Sequence, residues 1–114
     1  HKEISDIPKS EAIVDIGTKT IDNYNRIISQ SSMVVWNGPM GIGEIEQFAA
    51  GTNAIAAAVA RIPNSIIGGG DTITAVDKIG LLDKYSFVST SGGAMLEFLA
   101  GEKLSGLEAL GYYE

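Results

Sequence analysis

Apolar runs that stop at glycine and reopen as amphipathic segments recur in this chain, and Ser65-Ile66-Ile67-Gly68-Gly69-Gly70-Asp71-Thr72 is the sharpest instance. The β-branched residues predict a buried strand, the glycines a tight turn, and the acid with threonine a helix N-terminus. Successive glycines let backbone approach a ligand. The unpaired amides of a first helical turn, with the positive end of the helix dipole, then point at whatever lies there. Such a seat suits an anion, phosphate being the natural occupant. Asp71 at its mouth suits a hydrated Mg²⁺ carried in by that phosphate, because Mg²⁺ is usually held by one or two carboxylates plus substrate oxygens. The same residues also read as a plain strand-to-helix turn in which Asp71 or Thr72 is the N-cap.

The pattern repeats along the chain. Residues 1–11 are polar with Pro8 and read as a connecting segment. Ala12 to Ile16 reads as a first buried parallel strand ending at Gly17. Thr18 is a candidate cap for a helix in which Ile21, Tyr24, Ile27 and Ile28 share a face, and that helix stops at Ser29-Gln30-Ser31-Ser32. Met33 to Trp36 predicts a second strand, followed by the loop Asn37-Gly38-Pro39-Met40-Gly41-Ile42-Gly43-Glu44. Glu44 to Ala50 predicts a short helix or turn. Thr52 is then the candidate cap of the clearest helix, with Ile55, Ala58, Val59 and Ile62 at i, i+3, i+4 and i+7. Pro63-Asn64 breaks it, the strand before Gly68 follows, and Ile73 and Val76 face the next helix inward until Gly80. Tyr85 to Ser89 predicts a fourth strand, Thr90-Ser91-Gly92-Gly93 a further glycine turn, and Met95, Phe98 and Leu99 an apolar helix face stopped by Gly101. Leu104, Leu107 and Leu110 suit a short helix or turn docked on apolar surface.

Four strands alternating with helices predict an α/β fold, a three-layer αβα, Rossmann-like parallel sheet with helices on both faces. The glycine loops at 37–43, 68–70 and 91–93 all follow strands, so they converge at the carboxyl edge, where such sheets bind ligands.

Charge and motif content narrow the function. A net charge of −6, with eight scattered Lys and Arg, argues against a nucleic-acid or anionic-membrane surface. No apolar run reaches membrane-spanning length, and the lack of cysteine fits a reducing cytoplasm. A dinucleotide fingerprint fails, because Ile73 and Glu46 stand where a third glycine is needed. A P-loop fails because the chain has no Gly-Lys pair, and a serine hydrolase has no support because His1 is the sole histidine. The chain opens His1-Lys2-Glu3 without methionine, which reads as a piece of a longer protein.

Three signatures, in order and at suitable separation, resemble the phosphoglycerate kinase family: Trp36-Asn37-Gly38-Pro39-Met40-Gly41, Gly68-Gly69-Gly70-Asp71-Thr72, and Ser89-Thr90-Ser91-Gly92-Gly93-Ala94 with Leu96-Glu97. The resemblance runs from about Ala12 to Leu110 and corresponds to about the last quarter of a family member. It implies that residues 1–114 are the carboxyl-terminal portion of the nucleotide-binding domain of a two-domain, cytoplasmic, monomeric glycolytic enzyme. That enzyme passes a phosphoryl group between 1,3-bisphosphoglycerate and MgADP, giving 3-phosphoglycerate and MgATP.

By matching position, the resemblance makes Glu44 the carboxylate for the ribose hydroxyls, Met40 to Ile42 a wall near the adenine, and Asn37 a contact to the nucleotide phosphates. It makes Gly69, Gly70, Asp71 and Thr72 the phosphate and Mg²⁺ seat, with Gly70, Gly92 and Gly93 at the transferring group. Without it, Glu44 reads as a first-turn acid beside a helix dipole and Trp36 as core. Thr18, Gly43 and Ser91 depart from residues common in the family, namely proline, phenylalanine and glycine. The phosphoglycerate-binding basic residues are expected in parts of the enzyme outside this chain. The isolated chain is accordingly expected to be inactive and to expose apolar surface around Leu104, Leu107 and Leu110. The competing readings are a noncatalytic αβ fragment or binding module whose glycine loops are only turns, and an NAD-dependent oxidoreductase domain.

Overall fold

The computed structural model describes residues 1–114. Three parallel strands, β1 (Met33–Asn37), β2 (Asn64–Gly68) and β3 (Phe87–Ser89), lie in the order β1-β2-β3. The helices are α1 (Thr18–Ser29), α2 (Ala50–Val59), α3 (Gly70–Lys78), α4 (Gly92–Leu99) and α5 (Ser105–Ala109). Asn37 pairs in register with Gly68, and Gly68 with Ser89, so the three strands end side by side. Whatever follows each strand starts at the same edge.

Alternation along the strands sorts the faces. Trp36 and Ile67 point into a buried cluster with Ile55, Ala56, Val59, Val76 and Tyr85, and Val34 and Val88 pack against it. The other face is barely covered: Met33, Val35 and Phe87 are exposed, and the nearest helix contributes Met95, which sits against Gly68. Much apolar area therefore faces outward. The radius of gyration of 16.3 Å exceeds the roughly 13 Å of a compact domain of this length.

The expected strand at Ala12 to Ile16 does not form, and the sheet has three strands. A single backbone hydrogen bond, Ile42 N–H to Val14 O at 3.0 Å, replaces a ladder. The Asp15 carboxylate instead accepts the amides of Ile16 and Gly51, both at 2.8 Å, which turns the segment toward the N-terminus of α2. Local hydrogen bonding by an Asp side chain competes with strand pairing in this way. The fourth expected strand is shortened to β3.

The cap assignments also differ. Gly17 precedes α1 and Gly69 precedes α3, so Thr18, Asp71 and Thr72 lie inside their helices. Thr52 lies inside α2, which starts at Ala50. Its hydroxyl accepts the amides of Met40 and Gly41 at 3.0 and 3.2 Å. In the tail, Leu104 and Leu107 are half-buried and Leu110 is 83% exposed, so the bare surface there centres on Leu110.

Tyr85 ties the core together, its hydroxyl donating to Ala56 O at 2.8 Å. Burial pushes its pKa from 10.0 up to about 12. The fold therefore favours the protonated phenol: this stabilisation is complete below pH 10 and is lost as the pH rises through 12. Two pKa units correspond to at most about 3 kcal/mol, less what solvent screens at the phenol. Urea titrations of the wild type should show stability falling by that order between pH 10 and 12, and Tyr85→Phe should flatten much of the fall. An equal fall in both proteins would assign the alkaline transition to other groups.

Candidate nucleotide site

The edge where the strands end is organised by backbone. At β2 the chain turns through Gly69, whose φ of 89° and ψ of 131° lie outside the range of residues with a side chain. A Cβ there would also collide with Asn37 Oδ1. Gly92 is equally confined, because its Cβ would lie 2.6 Å from Gly69 Cα and N. The starts of α3 and α4 therefore touch.

The first bond into α3 is Ile73 N–H to Gly69 O at 3.0 Å, and the first into α4 is Met95 N–H to Ser91 O at 2.9 Å. Neither helix has a side-chain cap. The amides of Gly70, Asp71 and Thr72, and of Gly92, Gly93 and Ala94, are thus left without partners, six donors at two adjoining positive helix ends. Gly70 and Gly93 are open on the side where a side chain would stand, a Cβ there meeting nothing within 4 Å.

The side chains around this cradle divide by role. Asn37 Nδ2 donates to Gly92 O at 3.3 Å, linking β1 to α4. Thr72 is 1% exposed, and its hydroxyl accepts the Gly38 amide at 2.8 Å. Both hold the loop after β1 against the helix starts, and what Thr72 leaves open is its backbone N–H. Trp36 is core, as expected, with Nε1 donating to Gly38 O at 2.7 Å. Asp71 and Glu44, in contrast, are exposed and share one cleft of about 380 Å³ with Pro39, Ile42, Thr74 and Lys78. The three ion pairs, Lys2–Glu11, Lys19–Glu3 and Lys84–Asp83, all lie elsewhere.

Asp71, in the first turn of α3, stands beside that helix's three free amides and shares its cleft with the second carboxylate, Glu44. The amides attract an anion, the carboxylates repel it, and a divalent cation at Asp71 would reconcile them. No cluster of three or more metal-ligating side chains exists, so such a cation would take its remaining ligands from ligand oxygens and water, as Mg²⁺ does. The residues present fit that arrangement.

Asp15 and Lys78 were missed in the sequence. Asp15 positions the loop, since a Cβ at Gly41 would lie 2.6 Å from its Oδ1. Its partner Gly51 is 36 residues away, so no local pattern could reveal it. Lys78 is the one cation lining the cleft, and its place in the last turn of α3 reads as ordinary dipole pairing.

The chain is similar to known proteins over almost its whole length. The sequence model described as phosphoglycerate kinase matches residues 1–102. The phosphoglycerate kinase of Chloroflexus aurantiacus is 50% identical over 112 residues, covering 95% of this chain and 28% of its own length. That of Herpetosiphon aurantiacus is 48% identical over 108 residues, 94% of this chain and 27% of its own length. Among solved structures, phosphoglycerate kinase from Coxiella burnetii superposes with a TM-score of 0.83 at 49% identity, over 89% of this chain and 27% of that one. The chain spans a little over a quarter of the length of these relatives. No helix is long and apolar enough to cross a membrane. With a match over almost its whole length and about half its residues shared with named members, the chain belongs to the phosphoglycerate kinase family.

Proposed function

We propose that this chain supplies the carboxyl-terminal part of the nucleotide site of a cytoplasmic phosphoglycerate kinase, which moves a phosphoryl group between 1,3-bisphosphoglycerate and MgADP. The observation that carries this reading is that Glu44 shares its cleft with Asp71, which stands in the first turn of α3, where the free amides of α3 adjoin the start of α4. In this reading the ADP ribose hydroxyls donate to Glu44, and Met40 to Ile42 flank the base. The phosphates lie along the amides of Gly70, Asp71 and Thr72, and Asn37 holds the α4 start in place. Mg²⁺ at Asp71 would neutralise charge on the phosphate oxygens.

The amides of Gly92 and Gly93 face the transferring group. Donors fixed in place before the reaction stabilise charge on its equatorial oxygens without reorganising, which is the main protein contribution to phosphoryl transfer. The acceptor side, with the phosphoglycerate, belongs to the remaining three quarters of the enzyme.

The chain is expected to show no turnover by itself and to gain it when mixed with the complementary upstream portion of a family member, because transfer needs donor and acceptor held in line. Activity of the chain alone, or none on mixing when the two parts demonstrably associate, would contradict the proposal.

Glu44→Gln tests the ribose contact. It should weaken ADP by about tenfold while tripolyphosphate changes by less than about twofold, since only the nucleoside brings hydroxyls that need an acceptor. Equal weakening of both ligands would make Glu44 a structural acid.

A further inference from the structure

The Glu44–Asp71 cleft has a neighbour. A second cleft of about 380 Å³ lies between the Glu46–Asn53 segment and α3, with Ala49, Ala75 and Ile79 as its apolar lining and Glu46, Thr52, Asn53 and Lys78 as its polar lining. The two clefts meet at Gly43, Ala75 and Lys78, which line both.

Nothing in the fold demands glycine at 43. Its φ is not among the positive ones, and a Cβ there would find only the Ala75 Cβ, 3.9 Å away. Any larger side chain would stand over Ala75, where the two spaces join. The missing side chain is therefore what leaves the passage open, one residue from the carboxylate assigned to the ribose.

We infer that Gly43 is a specificity-determining residue, and that the second cleft takes an apolar substituent carried on the ribose of a nucleoside diphosphate. The inference rests on the nucleotide reading of the Glu44–Asp71 cleft. A ribose acylated on one hydroxyl keeps the other for Glu44 and directs its acyl group past Gly43 onto Ala49 and Ile79. Apolar area removed from water there strengthens binding.

The test uses the 114-residue chain with two probes, ADP and 2′/3′-O-(N-methylanthraniloyl)-ADP, measured by titration calorimetry in Mg²⁺. Wild type should bind the substituted nucleotide about tenfold tighter than ADP, the effect expected from burying part of one aromatic ring. Gly43→Phe should bring the two affinities within about twofold of each other, because a side chain at 43 closes the passage to the side space. Where circular dichroism shows that Phe unfolds the chain, Gly43→Ala should still reduce the preference.

Equal ADP and substituted-ADP affinities in wild type would overturn the inference and leave the nucleotide reading standing. So would an undiminished preference in the folded variant, or parallel loss of both nucleotides. Failure of wild type to bind either nucleotide would overturn both readings together.

Discussion

Gly69→Ala should destabilise the chain by about 3 kcal/mol or more and remove nucleotide binding with it. Two costs combine: about 1–3 kcal/mol for holding a side-chain residue at φ 89°, and a similar amount for forcing Cβ into the Asn37 amide. A domain has only about 5–15 kcal/mol in total, so such a loss brings the fold near its threshold. Gly70→Ala is the matched control. Its Cβ meets nothing within 4 Å, and alanine suits a helical position better than glycine by up to about 1 kcal/mol. Its stability should be unchanged or raised, while the methyl group intrudes on the open cradle and weakens ADP. Urea midpoints and calorimetry read both effects. Equal stability of the two variants would mean that the Gly69 turn is not constrained as described.

What was legible in the sequence was local. The ends of β1 and β2 were readable because each apolar run stops at glycine within a residue or two, that of β3 because Ser89-Thr90-Ser91 leads into Gly92, and the parallel order follows from helices placed between strands. The convergence of Asn37, Gly68 and Ser89 was readable for the same reason. The Ala12–Ile16 segment was misread because its apolar pattern is that of a strand. What decides it is a carboxylate at Asp15 bonded to Gly51, and that bond spans 36 residues.

Threonine was harder still. Thr52 and Thr72 look like caps by position, yet their hydroxyls accept amides 11 to 34 residues distant, from Met40 and Gly41 for Thr52 and from Gly38 for Thr72. Both serve the loop after β1, so the site is shaped by side chains whose sequence context announces a different task. Glycines at 69 and 92 were readable as permissive but not as mutually packed, because contact between the starts of α3 and α4 is a property of the assembled sheet.

One Mg²⁺-bound nucleotide is expected to span Asp71 and the free amides of α3, and calorimetry of wild type and Asp71→Asn with ADP, in Mg²⁺ and in EDTA, tests that placement. Asparagine keeps the size and the helix start but loses the charge that holds the cation. The expected result is wild-type binding that strengthens with Mg²⁺, and a variant at least about tenfold weaker than wild type in Mg²⁺, equivalent to about 1.4 kcal/mol. In EDTA the two proteins should agree within about twofold, or the variant should bind slightly better, because a repelling carboxylate is gone. Identical affinities of wild type and variant in Mg²⁺ would contradict a cation held at Asp71.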